Sequence, residues 1–160
     1  MICDECQALY EEVGDLARDA KVFGKVRRTD EMLRCRAEAC ESEAYYYVDV
    51  ELPAHDKVWV GLYTEDRWLS ESIEADLMHL GDKIEELLEE ELVEQGVEQR
   101  LAVEHFRDEE KRYVFRSALP LPAGEELDGD AMVERTTRVL LAYEACFREL
   151  GDMTAEEDVF

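Results

Sequence analysis

The sequence predicts an α+β domain, an antiparallel sheet of about five strands with three main helices in the order α-β-β-β-α-β-β-α. Three observations carry this expectation. Apolar residues recur every three or four positions near both ends and in the middle of the chain. Alternating patterns occupy the stretches between. Those alternating stretches are separated by short polar turns, so their strands connect as hairpins, which favours an antiparallel sheet over a parallel doubly wound one.

The first helix rests on Ile2, Cys6, Leu9, Val13, Leu16 and Ala20, spaced three and four apart, with Gly14 a weak point. From Val22 to Tyr63 the period changes to two. Val22 to Arg28 is a candidate extra strand, and Met32 to Ala39 alternates weakly. Tyr45 to Leu52 places Tyr46, Val48, Val50 and Leu52 on one face, and Tyr45, Tyr47, Asp49 and Glu51 on the other. The turn Pro53-Ala54-His55-Asp56 leads to a strand with Val58, Val60 and Leu62 opposite Trp59 and Tyr63.

A helical stripe then runs through Ile73, Leu77, Leu80, Ile84, Leu88 and Leu92, with Gly96 as its stop. Gly81-Asp82 interrupts it, and Asp82 with Glu85 matches an N-cap box, so one kinked helix and two consecutive ones both fit. Leu101 to Phe106 and Tyr113 to Leu119 flank the turn Arg107-Asp108-Glu109-Glu110 as a second hairpin. Asp128 or Asp130 caps a last helix that turns Met132, Thr136, Val139, Tyr143, Phe147 and Leu150 inward.

A chain of 160 residues, 46% apolar, suits one domain, expected over residues 1–150 with an acidic, aperiodic tail from Gly151 to Phe160. Its 42 acidic residues against 18 basic ones give a formal net charge of −24. Such a charge opposes binding to nucleic acid and to anionic lipid. The N-terminus lacks the basic and apolar regions of a secretory signal, and no apolar run approaches the length of a membrane span. Five scattered cysteines, an odd number, fit reduced thiols and a cytoplasmic location.

Two stretches carry a family resemblance: Val58-Trp59-Val60-Gly61-Leu62-Tyr63 running into the long acidic helix, and Tyr113-Val114-Phe115-Arg116-Ser117-Ala118-Leu119-Pro120-Leu121 followed by Leu127-Asp128-Gly129-Asp130 and the final helix. In element order and apolar pattern they resemble the type III secretion chaperone-like fold, including the YbjN-type proteins described as sensory transduction regulators. The resemblance implies a homodimer whose sheet and helices leave apolar grooves for an extended partner segment.

Chemistry-bearing constellations are sparse. Cys3-x-x-Cys6 with Cys35-x4-Cys40 is the one candidate metal set, but the second spacing is unusual and falls on a strand, where residues five apart face opposite ways. Ordinary thiols are the favoured reading, with neither metal nor cofactor expected. His55, His79 and His105 stand outside any catalytic signature, although Asp76, His79 and Asp82 share a helix rim. The glycines match no phosphate-cradling loop. No catalytic residue is nominated and no enzyme is expected.

The acidic run Glu85-Glu86 and Glu89-Glu90-Glu91 reads first as a solvated helix face, and second as a surface that attracts basic partners. The aromatic set Tyr45, Tyr47, Trp59, Tyr63 and Phe106 is the candidate binding surface, either core under a doubly covered sheet or an open face for a partner; Tyr46 and His105 belong to the same question. The functional expectation is a small acidic, non-enzymatic, chaperone-like protein-binding domain, homodimeric, holding a client segment in apolar and aromatic grooves. The alternative is an acidic decoy that mimics nucleic acid and occupies a basic protein. Neither reading involves a membrane.

Overall fold

The structure, a computed structural model, describes residues 3–38, 40–51, 54–80 and 83–153. These form α1 (Asp4–Ala20), β1 (Phe23–Arg28), β2 (Leu33–Ala37), β3 (Ala44–Val50), β4 (Lys57–Thr64), α2 (Arg67–Leu80), α3 (Ile84–Glu94), β5 (Glu104–Arg107), β6 (Tyr113–Pro120) and α4 (Asp130–Phe147). The class and element order are those expected. The sheet has six strands, not about five, because Phe23–Arg28 pairs with β2 as an edge strand. All neighbours in the order β1-β2-β3-β4-β6-β5 are antiparallel.

The second helical stretch is two helices, α2 and α3. Gly81 and Asp82, and with them the expected Asp82 cap, lie outside the described residues. At the start of α3 the Glu86 carboxylate accepts the Lys83 N–H at 3.3 Å. At the start of α2, Asp66 accepts the N–H groups of Trp68 and Leu69, satisfying donors that the first helical turn leaves without partners. The last helix is capped at Gly129 rather than at an aspartate; Asp130 is its first residue, where its charge still suits the helix dipole.

A helix must bury one stripe, and a hairpin-built sheet offers one face to cover. The helices meet that face in one cluster: Leu9 and Val13 from α1, Leu69 and Ile73 from α2, Leu88 and Leu92 from α3, and Val139, Tyr143 and Phe147 from α4, against Tyr46, Val48, Val58, Val60, Leu62 and Phe115. The α1 stripe differs from the expected one at Leu16, which is 42% exposed, while Tyr10 and Ala17 are buried instead. The helix is rotated toward β1 and β2, where Gly14 sits close enough to Leu33 that an added Cβ would lie 3.2 Å from its Cδ1. All six residues expected to face inward on α4 and just beyond it are buried.

Strand β5 starts at Glu104, three residues later than expected, because side chains take over its pairing. Ser117 donates its hydroxyl to the Ala102 carbonyl, Glu85 accepts the Val103 N–H, and Leu101 turns into the core. At the other end of the chain, Gly151, Asp152 and Met153 belong to the body and not to a tail. The Gly151 N–H donates to Asp76, the Asp152 N–H to Ser72, and Met153 is buried. The remainder of the expected tail lies outside the described residues. No helix is long and apolar enough to cross a membrane among the described residues.

Candidate binding face

Alternation decides what the other sheet face carries. Register aligns Arg27 with Arg34, Arg34 with Tyr47, Arg36 with Tyr45, Tyr47 with Gly61, Tyr45 with Tyr63, Asp49 with Trp59, Gly61 with Arg116, Tyr63 with Val114, Val114 with Phe106, and Arg116 with Glu104. Tyr47, Trp59, Tyr63 and Val114 form a second cluster with Met32, Tyr45, Phe106 and Ala118 packed against it, and no helical residue takes part among the described residues. The candidate residues Tyr45, Tyr47, Trp59, Tyr63 and Phe106 are therefore brought together on one face. Tyr46 and His105 lie on the opposite, helix-covered side: Tyr46 against Phe23, and His105 stacked on Phe115 at 3.9 Å with its Nε2 2.5 Å from Glu74.

Although no helix covers this face, Tyr47, Trp59 and Tyr63 are only 6–7% exposed. Basic side chains from the sheet itself roof them. The Arg116 guanidinium carbon sits 3.6 Å from the Trp59 ring centroid and 4.8 Å from that of Phe106, and its Nε donates to Glu104 at 3.1 Å. Arg112 lies 4.8 Å over Tyr63 and is held by Asp108 at 2.9 Å. Arg34 lies 4.8 Å over Tyr45 and donates to the Tyr63 hydroxyl, while the Lys57 Nζ lies 5.2 Å from the Trp59 ring centroid. A cation over an aromatic face is attracted by the ring quadrupole, and its aliphatic stem covers the apolar carbon beneath. The face is a layer of arginine over aromatics, not an exposed apolar groove.

One end of the layer has cations and little to neutralise them. Lys25, Arg27, Arg34 and Arg36 line an open concavity of about 370 Å³ together with Glu43 and Tyr45. None of these four makes an ion pair among the described residues, while Arg112 and Arg116 do. The lone carboxylate, Glu43, accepts the Tyr45 hydroxyl at 3.2 Å. Arg36 spends its guanidinium on the carbonyls of Ala37, Cys40 and Ser42, which fixes it in place without cancelling its charge. Arg27 stands directly across from Arg34, a like-charge cross-strand pair that costs stability, and the Arg34 Nε is a buried donor without a partner. In a chain with 42 carboxylates this is a costly arrangement.

Asp49 is the acid in the middle of the face. Burial, with Glu51 and Glu31 nearby, pushes its carboxyl up to about 6, against the opposing pull of Arg116 and Arg112. A carboxyl that keeps its proton to higher pH when folded contributes stability at low pH and loses it as pH rises from about 4 to about 6. Asp49→Asn is therefore expected to raise stability at neutral pH by about 1 kcal/mol and to flatten the acid side of the stability profile. Urea unfolding at pH values above and below this window checks it, and an unchanged neutral midpoint would contradict it.

Other sequence candidates do not assemble. Asp76 is used in holding the C-terminal segment, His79 is exposed, and Asp82 lies outside the described residues. Cys35 and Cys40 are buried and do not join Cys3 and Cys6. The candidate residues missed by the sequence reading are the arginines. Their alternation with the tyrosines on neighbouring strands was present in the sequence, but which strands are neighbours was needed to see them as one surface.

Fold and face together define an α+β protein with one helix-covered sheet face and one open face of arginine layered on aromatics. Comparison with protein-family models, with curated proteins and with solved structures finds no match to this chain.

Proposed function

We propose that the chain is a non-enzymatic, chaperone-like protein-binding module whose open sheet face holds an extended, acidic segment of a partner protein. The observation that carries the reading is the cluster Lys25, Arg27, Arg34 and Arg36 beside Tyr45, cations without an ion-pair partner among the described residues of a strongly acidic chain. An acidic segment lying across β2 and β3 supplies the missing charge, and the half-buried Tyr45 offers amphipathic contact along the way. Single-stranded nucleic acid is disfavoured because Arg116 and Arg112 cover the rings of Trp59, Phe106 and Tyr63, on which bases would otherwise stack. A homodimer in a reducing cytoplasm completes the reading. Strands β1 and β5 end the sheet, and an unpaired edge is a template for a second chain.

A second reading, the acidic decoy, is favoured by one feature. Helix α3 carries Glu85, Glu86, Glu89, Glu90, Glu91 and Glu94 with no basic residue among them. A basic protein would meet that helix and not the sheet.

Fluorescence polarisation with labelled peptides of about ten residues separates the readings. The module should bind a Glu/Asp-rich peptide in preference to a Lys-rich one, with affinity falling as salt rises from about 50 to 200 mM. Preference for the Lys-rich peptide, abolished by Glu89→Gln with Glu90→Gln, would instead assign the decoy. A single-stranded oligonucleotide that outcompetes the acidic peptide would sink the proposal. Light scattering on the same sample tests the dimer.

A further inference from the structure

We infer that Cys3, Cys6 and His55 form a metal site of the zinc type that pins the start of α1 to the connection between β3 and β4. The two thiols and the imidazole come from segments far apart in sequence, yet one ligand atom from each lies within 4.8 Å of the other two. Tetrahedral zinc, with bonds of about 2.3 Å to sulfur and 2.0–2.1 Å to nitrogen, sets donors about 3.5–3.8 Å apart. Two thiolates and an imidazole are the donor set zinc prefers, and they leave its fourth position to water or an added ligand.

Each donor is held by local structure. Cys3 is the N-cap of α1, and its sulfur accepts the Cys6 N–H at 3.2 Å, so the cap fixes the position of the thiol at the helix N-terminus. Cys6 is buried on the same helix face as Tyr10, one turn further on. The Tyr10 hydroxyl accepts the Val50 N–H at 2.9 Å and donates to the Glu31 carbonyl, which fixes the distance from α1 to the end of β3. His55 lies beyond that strand end. Its N–H donates to the Glu51 carbonyl at 2.8 Å, the Glu51 N–H donates to Lys57, and His55 itself adopts a left-handed conformation with φ 57°. Three separate constraints thus converge on one point.

A dithiol redox pair is the competing use of Cys3 and Cys6. It needs only the two sulfurs, and the convergence of an imidazole from another loop favours the metal. On binding, each thiol releases its proton to solvent and each sulfur donates a lone pair; no oxidant or reductant is consumed.

The test uses the full chain, reduced and stripped of metal, titrated with zinc alone and with cobalt(II) as a spectroscopic probe. One equivalent of cobalt is expected, with a thiolate-to-cobalt charge-transfer band and tetrahedral visible bands, displaced by zinc. Zinc at about a hundredfold excess over its Kd should raise Tm by about 5–10 °C. Cys3→Ser and His55→Ala should each weaken binding about 100-fold or more, while His79→Ala, at an exposed position, leaves it unchanged. Circular dichroism verifies that the variants remain folded. Absence of a stoichiometric band, a band that survives His55→Ala, or a Cys3–Cys6 disulfide forming in protein that takes up no metal would each overturn the site.

Discussion

Gly61→Ala is expected to destabilise the protein by about 3 kcal/mol or more, which in a domain of this size lowers Tm by roughly 10 °C. Gly61 lies on β4 in the middle of the open face, directly across from Tyr47 on one side and Arg116 on the other. A Cβ at this position would collide with the Phe115 carbonyl oxygen and come within 2.9 Å of both the Tyr47 ring and the Arg116 Cβ. The carbonyl belongs to the neighbouring strand and cannot move without breaking the β4–β6 pairing, so relief by rotamer change is not available. Interior glycine ordinarily weakens a strand. Here its missing side chain is the space in which Tyr47 and Arg116 fit. Thermal and urea unfolding of Gly61→Ala check the expectation; a midpoint equal to that of the parent protein would mean that the aromatic layer is packed more loosely than the structure has it.

The second large effect concerns binding. Lys25→Glu combined with Arg27→Glu is expected to weaken the acidic peptide about 100-fold, close to 2.7 kcal/mol, while leaving stability unchanged or slightly improved. Both side chains are exposed and neither makes an ion pair among the described residues, so little of the fold depends on them. Replacing Arg27 also removes its like-charge opposition to Arg34. Arg34 is the poorer choice for this test, because it donates to Tyr63 and covers Tyr45, and its loss would disturb the face as well as the charge. Unchanged affinity in the double variant, with unfolding midpoints preserved, would remove the cation cluster from the proposed function.

The candidate site was only partly legible in the sequence. Strict alternation around Tyr45, Tyr47, Trp59 and Tyr63 placed them on one side of the sheet, and that placement holds in the structure. Their covering was not legible. Arg112 and Arg116 sit about fifty to seventy residues from the tyrosines in the chain, and only the pairing of β4 with β6 sets them over Trp59 and Tyr63. The reason is physical: pattern distinguishes the two faces of a strand, but not what a long side chain on the next strand does with its stem. The cysteines show the same limit. The spacing of Cys3 and Cys6 was visible, but Cys35 and Cys40, the partners that cysteine spacing suggests, do not join them. The partner that converges is His55, in a turn where spacing carries no signal.

What the sequence by itself determined is the set of local periods: which stretches are helices, which are strands, and which face of each is apolar. Those follow from side-chain geometry within one element, and the class and element order follow from them. The tertiary structure alone decided the neighbours. It made an edge strand of Phe23–Arg28, drew Met153 into the core, set four cations around one concavity, and put an imidazole beside two thiols. Met153 and the imidazole are brought to their partners across long stretches of chain against loop entropy, and the cations are gathered against charge repulsion; no local pattern encodes that balance.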